Sequence, residues 1–87
     1  MYVILVYDVG EERVGKVCKY TRRYLPHIQN SVFEGELSEA KLEVMKAGLR
    51  KIMKEDIDSV LLWVLRDSHW VDRQIIGLEK RPISNFL

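Results

Sequence analysis

The 87-residue chain has one cysteine, two prolines, two histidines and no long hydrophobic run. Each scarcity removes a class of protein. Cys18 alone cannot close an intramolecular disulfide, and without a second thiolate there is no cysteine cluster for zinc. The longest apolar runs, Tyr2 to Tyr7 and Val60 to Leu65, fall far short of the about 20 residues that a membrane-spanning helix needs. The first of them also lacks the basic start and small-residue cleavage site of a signal peptide. These features predict a cytoplasmic protein with no membrane association. Charge of one sign is scarce too, because 14 Lys or Arg face 13 Asp or Glu for a formal net charge of +1. A simple polycation that coats nucleic acid is excluded, so any basic surface must come from segregation of charge along the chain.

What is present suits a globular fold: 47% hydrophobic and 31% charged residues. The length fits one domain, residues 1–87, and leaves no room for a second. A chain of this size buries only about 60–65% of the surface its unfolded form exposes, so a second subunit is expected to complete its core.

Met1 to Tyr7 is continuously β-prone with no polar alternation, the pattern of a central strand buried on both faces. Asp8-Val9-Gly10 stops it, and Glu11-Glu12 place negative charge in the first turn of a helix, where the macrodipole favours it. Val14, Val17, Cys18, Thr21 and Leu25 then mark an inner stripe, with Arg13, Lys16, Lys19, Arg22 and Arg23 assigned to the outer side. Five basic and two acidic residues between 11 and 23 give a local excess of three positive charges. Pro26 ends that helix, and His27 to Leu37 fits either a bent strand or a tight hairpin, with punctuation at Asn30-Ser31 and Glu34-Gly35. Ser38 is a good N-cap for a second helix whose stripe is Leu42, Met45, Leu49, Ile52 and Met53. Ser59 to Leu65 is again continuously apolar, and Trp70 to Ile76 and Pro82 to Leu87 show weaker strand character.

This order, with right-handed crossovers, predicts an α+β ferredoxin-like βαββαβ sandwich with an extra C-terminal strand. Two helices cover only one face of the sheet. Both long strands are apolar throughout, so a second copy of the chain is expected to cover the other face in a two-fold homodimer.

Asp8 is the leading chemical candidate, since ligands gather beyond strand ends in open sheets, although Asp-x-Gly also serves as plain turn chemistry. A two-fold axis would bring two Asp8 carboxylates together to share an octahedral Mg²⁺. His27 and His69 have no partner spacing that suggests a catalytic pair, and Cys18 reads as an inert core thiol. Trp63 is expected in the core and Trp70 at a subunit contact. The basic stripe of the first helix reads either as a solvated face or as a contact to nucleic-acid phosphates.

The apolar strand ending in Tyr7-Asp8, the run Ser31-Val32-Phe33-Glu34-Gly35, the Ser38-x-Ala40-x-Leu42 helix start and Asp58-Ser59-Val60 together resemble the small CRISPR-associated "Cas-two" family, in order and spacing. The resemblance implies a ferredoxin-like homodimer of CRISPR adaptation that scaffolds the integrase subunit, with DNA on its basic surfaces. It also implies Mg²⁺-dependent endonuclease activity on single-stranded RNA or double-stranded DNA. Asp8 matches the family aspartate that shares a divalent metal between protomers, and Tyr7, Ser31 and Phe33 match the positions that support it. Residues 74–87 match the C-terminal segment that packs on the partner chain. The rival readings are a ferredoxin-like RNA-binding module, a small-molecule regulatory module without catalysis, and an acylphosphatase-like enzyme. The first lacks its interleaved aromatic strand pattern and the last its Gly-rich phosphate cradle.

Overall fold

The computed structural model describes residues 1–80. Strand β1 (Tyr2–Asp8) leads into helix α1 (Glu11–Thr21), a hairpin of β2 (His27–Gln29) and β3 (Val32–Glu36), helix α2 (Glu39–Ile52) and strand β4 (Ser59–Leu65), before a short 3-10 turn at Ser68–Trp70. The sheet order is β2-β3-β1-β4, with β1 antiparallel to both β3 and β4. This is the expected ferredoxin-like arrangement. The hairpin reading is the correct one of the two for residues 27–37: Asn30 turns the chain at φ 42, a left-handed conformation that Asn tolerates, and Gly35 stays inside β3.

Register assigns the faces. Val3, Leu5 and Tyr7 of β1 lie level with Gly35 and Phe33 of β3 and with Val64, Leu62 and Val60 of β4, and the buried members of this face meet the helices. Val17 of α1, Leu25 of the turn that follows it, and Leu42, Met45 and Leu49 of α2 close the core. Ser38 caps α2 by accepting from the Lys41 amide at 3.2 Å, as its position predicts. The two helices meet where the Tyr20 ring lies over Gly48, and a Cβ at residue 48 would overlap that ring.

The other face carries Tyr2, Ile4 and Val6 of β1 and Leu61, Trp63 and Leu65 of β4, with no helix over it. Trp63 is therefore not the core residue its apolar context suggests. It is 50% exposed and Leu61 53%, because β4 is an edge strand with one side uncovered. On this face Glu34 is only 5% exposed, its carboxylate accepting the Tyr2 hydroxyl at 2.5 Å with Arg73 Nε at 3.5 Å. Burial, then the bond to Glu34, pushes the Tyr2 phenol above its ordinary range.

Trp70 belongs to the 3-10 turn, capped by Asp67, and residues 71–80 form no strand. Arg73 to Lys80 instead run beside Ile28, Gln29 and Val32 of the same chain around a cavity of about 230 Å³. The expected strand at Pro82 to Leu87, and with it half of the C-terminal segment 74–87, lies outside the described residues.

Leu5 is fully buried at the centre of this core. Leu5→Ala should lower unfolding free energy by about 2–5 kcal/mol, read as a reduced denaturant midpoint at unchanged slope. A loss under about 1 kcal/mol would contradict the assigned register.

Candidate functional site

Two carboxylates stand at neighbouring strand ends. Asp8 closes β1 and pairs with Ser59, the first residue of β4, so the residue before Ser59, Asp58, sits beside Asp8 but faces the opposite side of the sheet. Asp58 turns under α1 and its side chain is fully buried. It accepts four hydrogen bonds: from Arg13 Nε at 2.5 Å, Arg13 Nη2 at 2.8 Å, the Gly10 amide at 2.9 Å and the Lys54 amide at 2.8 Å. Arg13 holds the Asp58 carboxyl well below the usual carboxylate range, with the two backbone amides adding to the effect. The same pair raises the Arg13 guanidinium above its ordinary value.

Asp8 is exposed, and among the described residues its side chain takes part in no hydrogen bond or ion pair. The turn-capping role that Asp-x-Gly suggests is filled by Asp58, which takes the Gly10 amide. Asp8 is left free in an open pocket of about 350 Å³ lined by Tyr7, Asp8, Val9, Val14, Asn30 and Ser31.

The structure thus brings Asp8, Tyr7 and Ser31 together. The Tyr7 amide donates to the Ser31 carbonyl at 3.2 Å, pinning the β2–β3 turn beside the end of β1. The Tyr7 ring is buried, 6.1 Å from Phe33, and its phenol is pushed up by burial and by Cys18, so it stays protonated at neutral pH. Phe33 lies beneath the pocket in the core, with the His27 ring stacked on it at 4.4 Å. His27 faces inward, its Nε2 2.7 Å from the Asn30 carbonyl. His69 is exposed beside Asp67, and Cys18 packs against the core as expected of an inert thiol.

Arg13 requires a correction. The outer-face assignment fails because Arg13, Val17 and Thr21 form the buried row of α1 at four-residue spacing, leaving Arg13 8% exposed on Asp58, with Glu12 2.9 Å from its other nitrogen. Val14, expected inside, sits in the pocket instead. Lys16, Lys19, Arg22 and Arg23 remain exposed, and among the described residues none of the four forms an ion pair. Asn30 and Val14 were missed as pocket residues. The acidic residue directly before an apolar strand was the available signal for Asp58.

The profile of the family described as "CRISPR associated protein Cas2" matches residues 1–73. The chain belongs to that family. It is 49% identical, over the full length of both chains, to the "CRISPR-associated endoribonuclease Cas2" of Dictyoglomus turgidum. Against the protein of that name from Pyrococcus furiosus, identity is 48%, again over the whole of both chains. A crystal structure of cas2 superposes with a TM-score of 0.86 at 46% identity, covering 100% of this chain and 98% of the other. Among the described residues no helix is long and apolar enough to cross a membrane.

Because Asp58 is more acidic in the folded chain than in the unfolded one, its charge favours folding, in full above the ordinary carboxylate pKa of about 4, where the unfolded chain has also lost the proton. Its contribution should be complete above about pH 5 and decline as the pH falls through 4 towards the lowered folded-state value. Denaturant titrations across that range should show the decline in the parent and a shallower one in Asp58→Asn. Equal slopes would remove Asp58 as the acid-sensitive group.

Proposed function

We propose that this chain is a divalent-cation-dependent endonuclease of single-stranded RNA or double-stranded DNA. It works as a two-fold homodimer and serves CRISPR adaptation by holding nucleic acid beside the integrase subunit. The observation that carries the nuclease reading is the contrast between the two neighbouring carboxylates: Asp58 is saturated with donors, whereas Asp8 is free and exposed. The names of the relatives, CRISPR-associated endoribonucleases, support it.

Asp8 offers the hard oxygen donor that Mg²⁺ prefers. Among the described residues no cluster of three His, Cys, Asp or Glu gathers within one chain, so the donor set fits the ion only when a second copy brings its own Asp8. Asp8 would hold such an ion, whose chemistry when bound would be to acidify a water and offset charge on the phosphoryl oxygens, and the Ser31 hydroxyl would bind a phosphate oxygen from the rim of the same pocket. Tyr7 and Phe33 act beneath them by fixing the strand end and the turn. The uncovered apolar face with Leu61 and Trp63 supports the homodimer. Lys16, Lys19, Arg22 and Arg23 hold phosphates without reading bases, which suits a scaffold.

Cleavage of RNA or DNA in Mg²⁺ should fall about 100-fold or more in Asp8→Asn, the scale of losing several kcal/mol of transition-state stabilisation, and should stop with EDTA. Sedimentation of the variant should still show a dimer. Undiminished cleavage by Asp8→Asn or in EDTA would overturn the mechanism, and a monomeric parent at micromolar concentration would overturn the shared site.

Replacing Lys16 and Arg23 by Ala should reduce the slope of log affinity against log salt by about 1 per lost phosphate contact, equally for unrelated sequences. An unchanged slope would make the stripe a solvated helix face.

A further inference from the structure

The Asp58–Arg13 pair lies outside the pocket, yet it joins the turn after β1, the first turn of α1 and the start of β4, all next to Asp8. Gly10, whose amide Asp58 holds, is separated from Asp8 only by Val9. Ser59, which follows Asp58, is the strand partner of Asp8. Arg13 is in the first turn of α1, and Lys54 opens the loop after α2. Gly10 is the N-cap of α1 and has no side chain to cap the helix, so the Asp58 carboxylate crosses from the next strand to bind the backbone there. The same glycine leaves room for the Arg13 guanidinium, which a Cβ at residue 10 would overlap.

We infer that Asp58, through Arg13 and the Gly10 amide, is a positioning residue that sets where the Asp8 carboxylate stands. This rests on the reading of Asp8 as the metal-holding carboxylate. A free, exposed side chain has no hydrogen bond of its own to orient it, so its position depends on the backbone of residues 8–10. That backbone is fixed on one side by the β1–β4 ladder and on the other by Asp58. Groups bonded directly to a metal ligand change metal affinity by about 10- to 100-fold when removed, and Asp58, acting through the backbone of residues 8–10, is expected at the lower end of that range. Asp58→Asn preserves shape but removes the charge facing Arg13 and turns one acceptor into a donor that meets an N–H.

The test uses the full-length chain and Mn²⁺ as the probe. In Asp58→Asn the Gly10 amide should exchange with solvent about tenfold faster or more, consistent with losing a hydrogen bond to a charged group, while the Leu5 and Val17 amides keep their protection. The Mn²⁺ concentration that half-broadens the Asp8 and Val9 amide signals should rise about tenfold or more. Cleavage should lose apparent metal affinity but recover at saturating metal. Arg13→Lys, which keeps the charge but not the two-pronged contact, should fall between parent and Asp58→Asn, and serves if the latter does not fold. A lower Tm with unchanged Mn²⁺ dependence would overturn the inference and leave the pair a stabilising contact only. Failure of the nuclease reading looks different: the parent cuts nothing, or Asp8→Asn cuts as the parent does, while Mn²⁺ broadening and amide exchange still decide the role of Asp58.

Discussion

The Asp58 carboxylate takes one donor from its own loop, the Lys54 amide four residues earlier, and the others from the turn after β1 and the first turn of α1, 48 and 45 positions away. Burying a carboxylate costs heavily unless its oxygens are satisfied, and here both are, by a two-pronged guanidinium and two backbone amides. The cost of leaving either partner alone in the interior makes the pair an all-or-none arrangement. Wherever the chain folds, the β1–α1 turn is therefore drawn onto the start of β4. The pocket beside Asp8 follows from that constraint.

The sheet separates two kinds of work by its period of two. Odd-numbered residues of β1 build the core with α1 and α2, while even-numbered ones face away, so Tyr7 and Asp8 point to opposite sides although they are adjacent. Tyr7 supplies rigidity, packed near Phe33 and bonded through its amide to the turn that carries Ser31. Among the described residues no hydrogen bond or ion pair engages the Asp8 side chain, which is free for a ligand. Basic charge is divided in a similar way on α1, with Arg13 consumed inside and Lys16, Lys19, Arg22 and Arg23 left outside.

Much of this was legible from residue order. The apolar run to Tyr7 marked β1, Ser38 marked the start of α2, and Leu42, Met45 and Leu49 marked its buried row, because periodicity and capping are local. Asp8 was singled out by its place at the end of an apolar strand and Ser31 through the family resemblance, and the fold sets them in one pocket. Trp63 and Arg13 were misplaced for a shared reason. Hydrophobicity alone does not say whether an apolar strand is central or at an edge, nor does a cation's charge say whether a buried carboxylate awaits it.

Residue order was enough for the ferredoxin-like class and for membership of the Cas2 family, since these depend on short-range patterns and on motifs in fixed order. Which of two acidic residues at neighbouring strand ends is spent on the fold, and which is free, came from the packing of the chain. Asp8 and Asp58 are 50 positions apart. Their roles differ because strand pairing sets Asp58 on the face beneath α1, where Arg13 can neutralise it, and Asp8 on the face that solvent reaches.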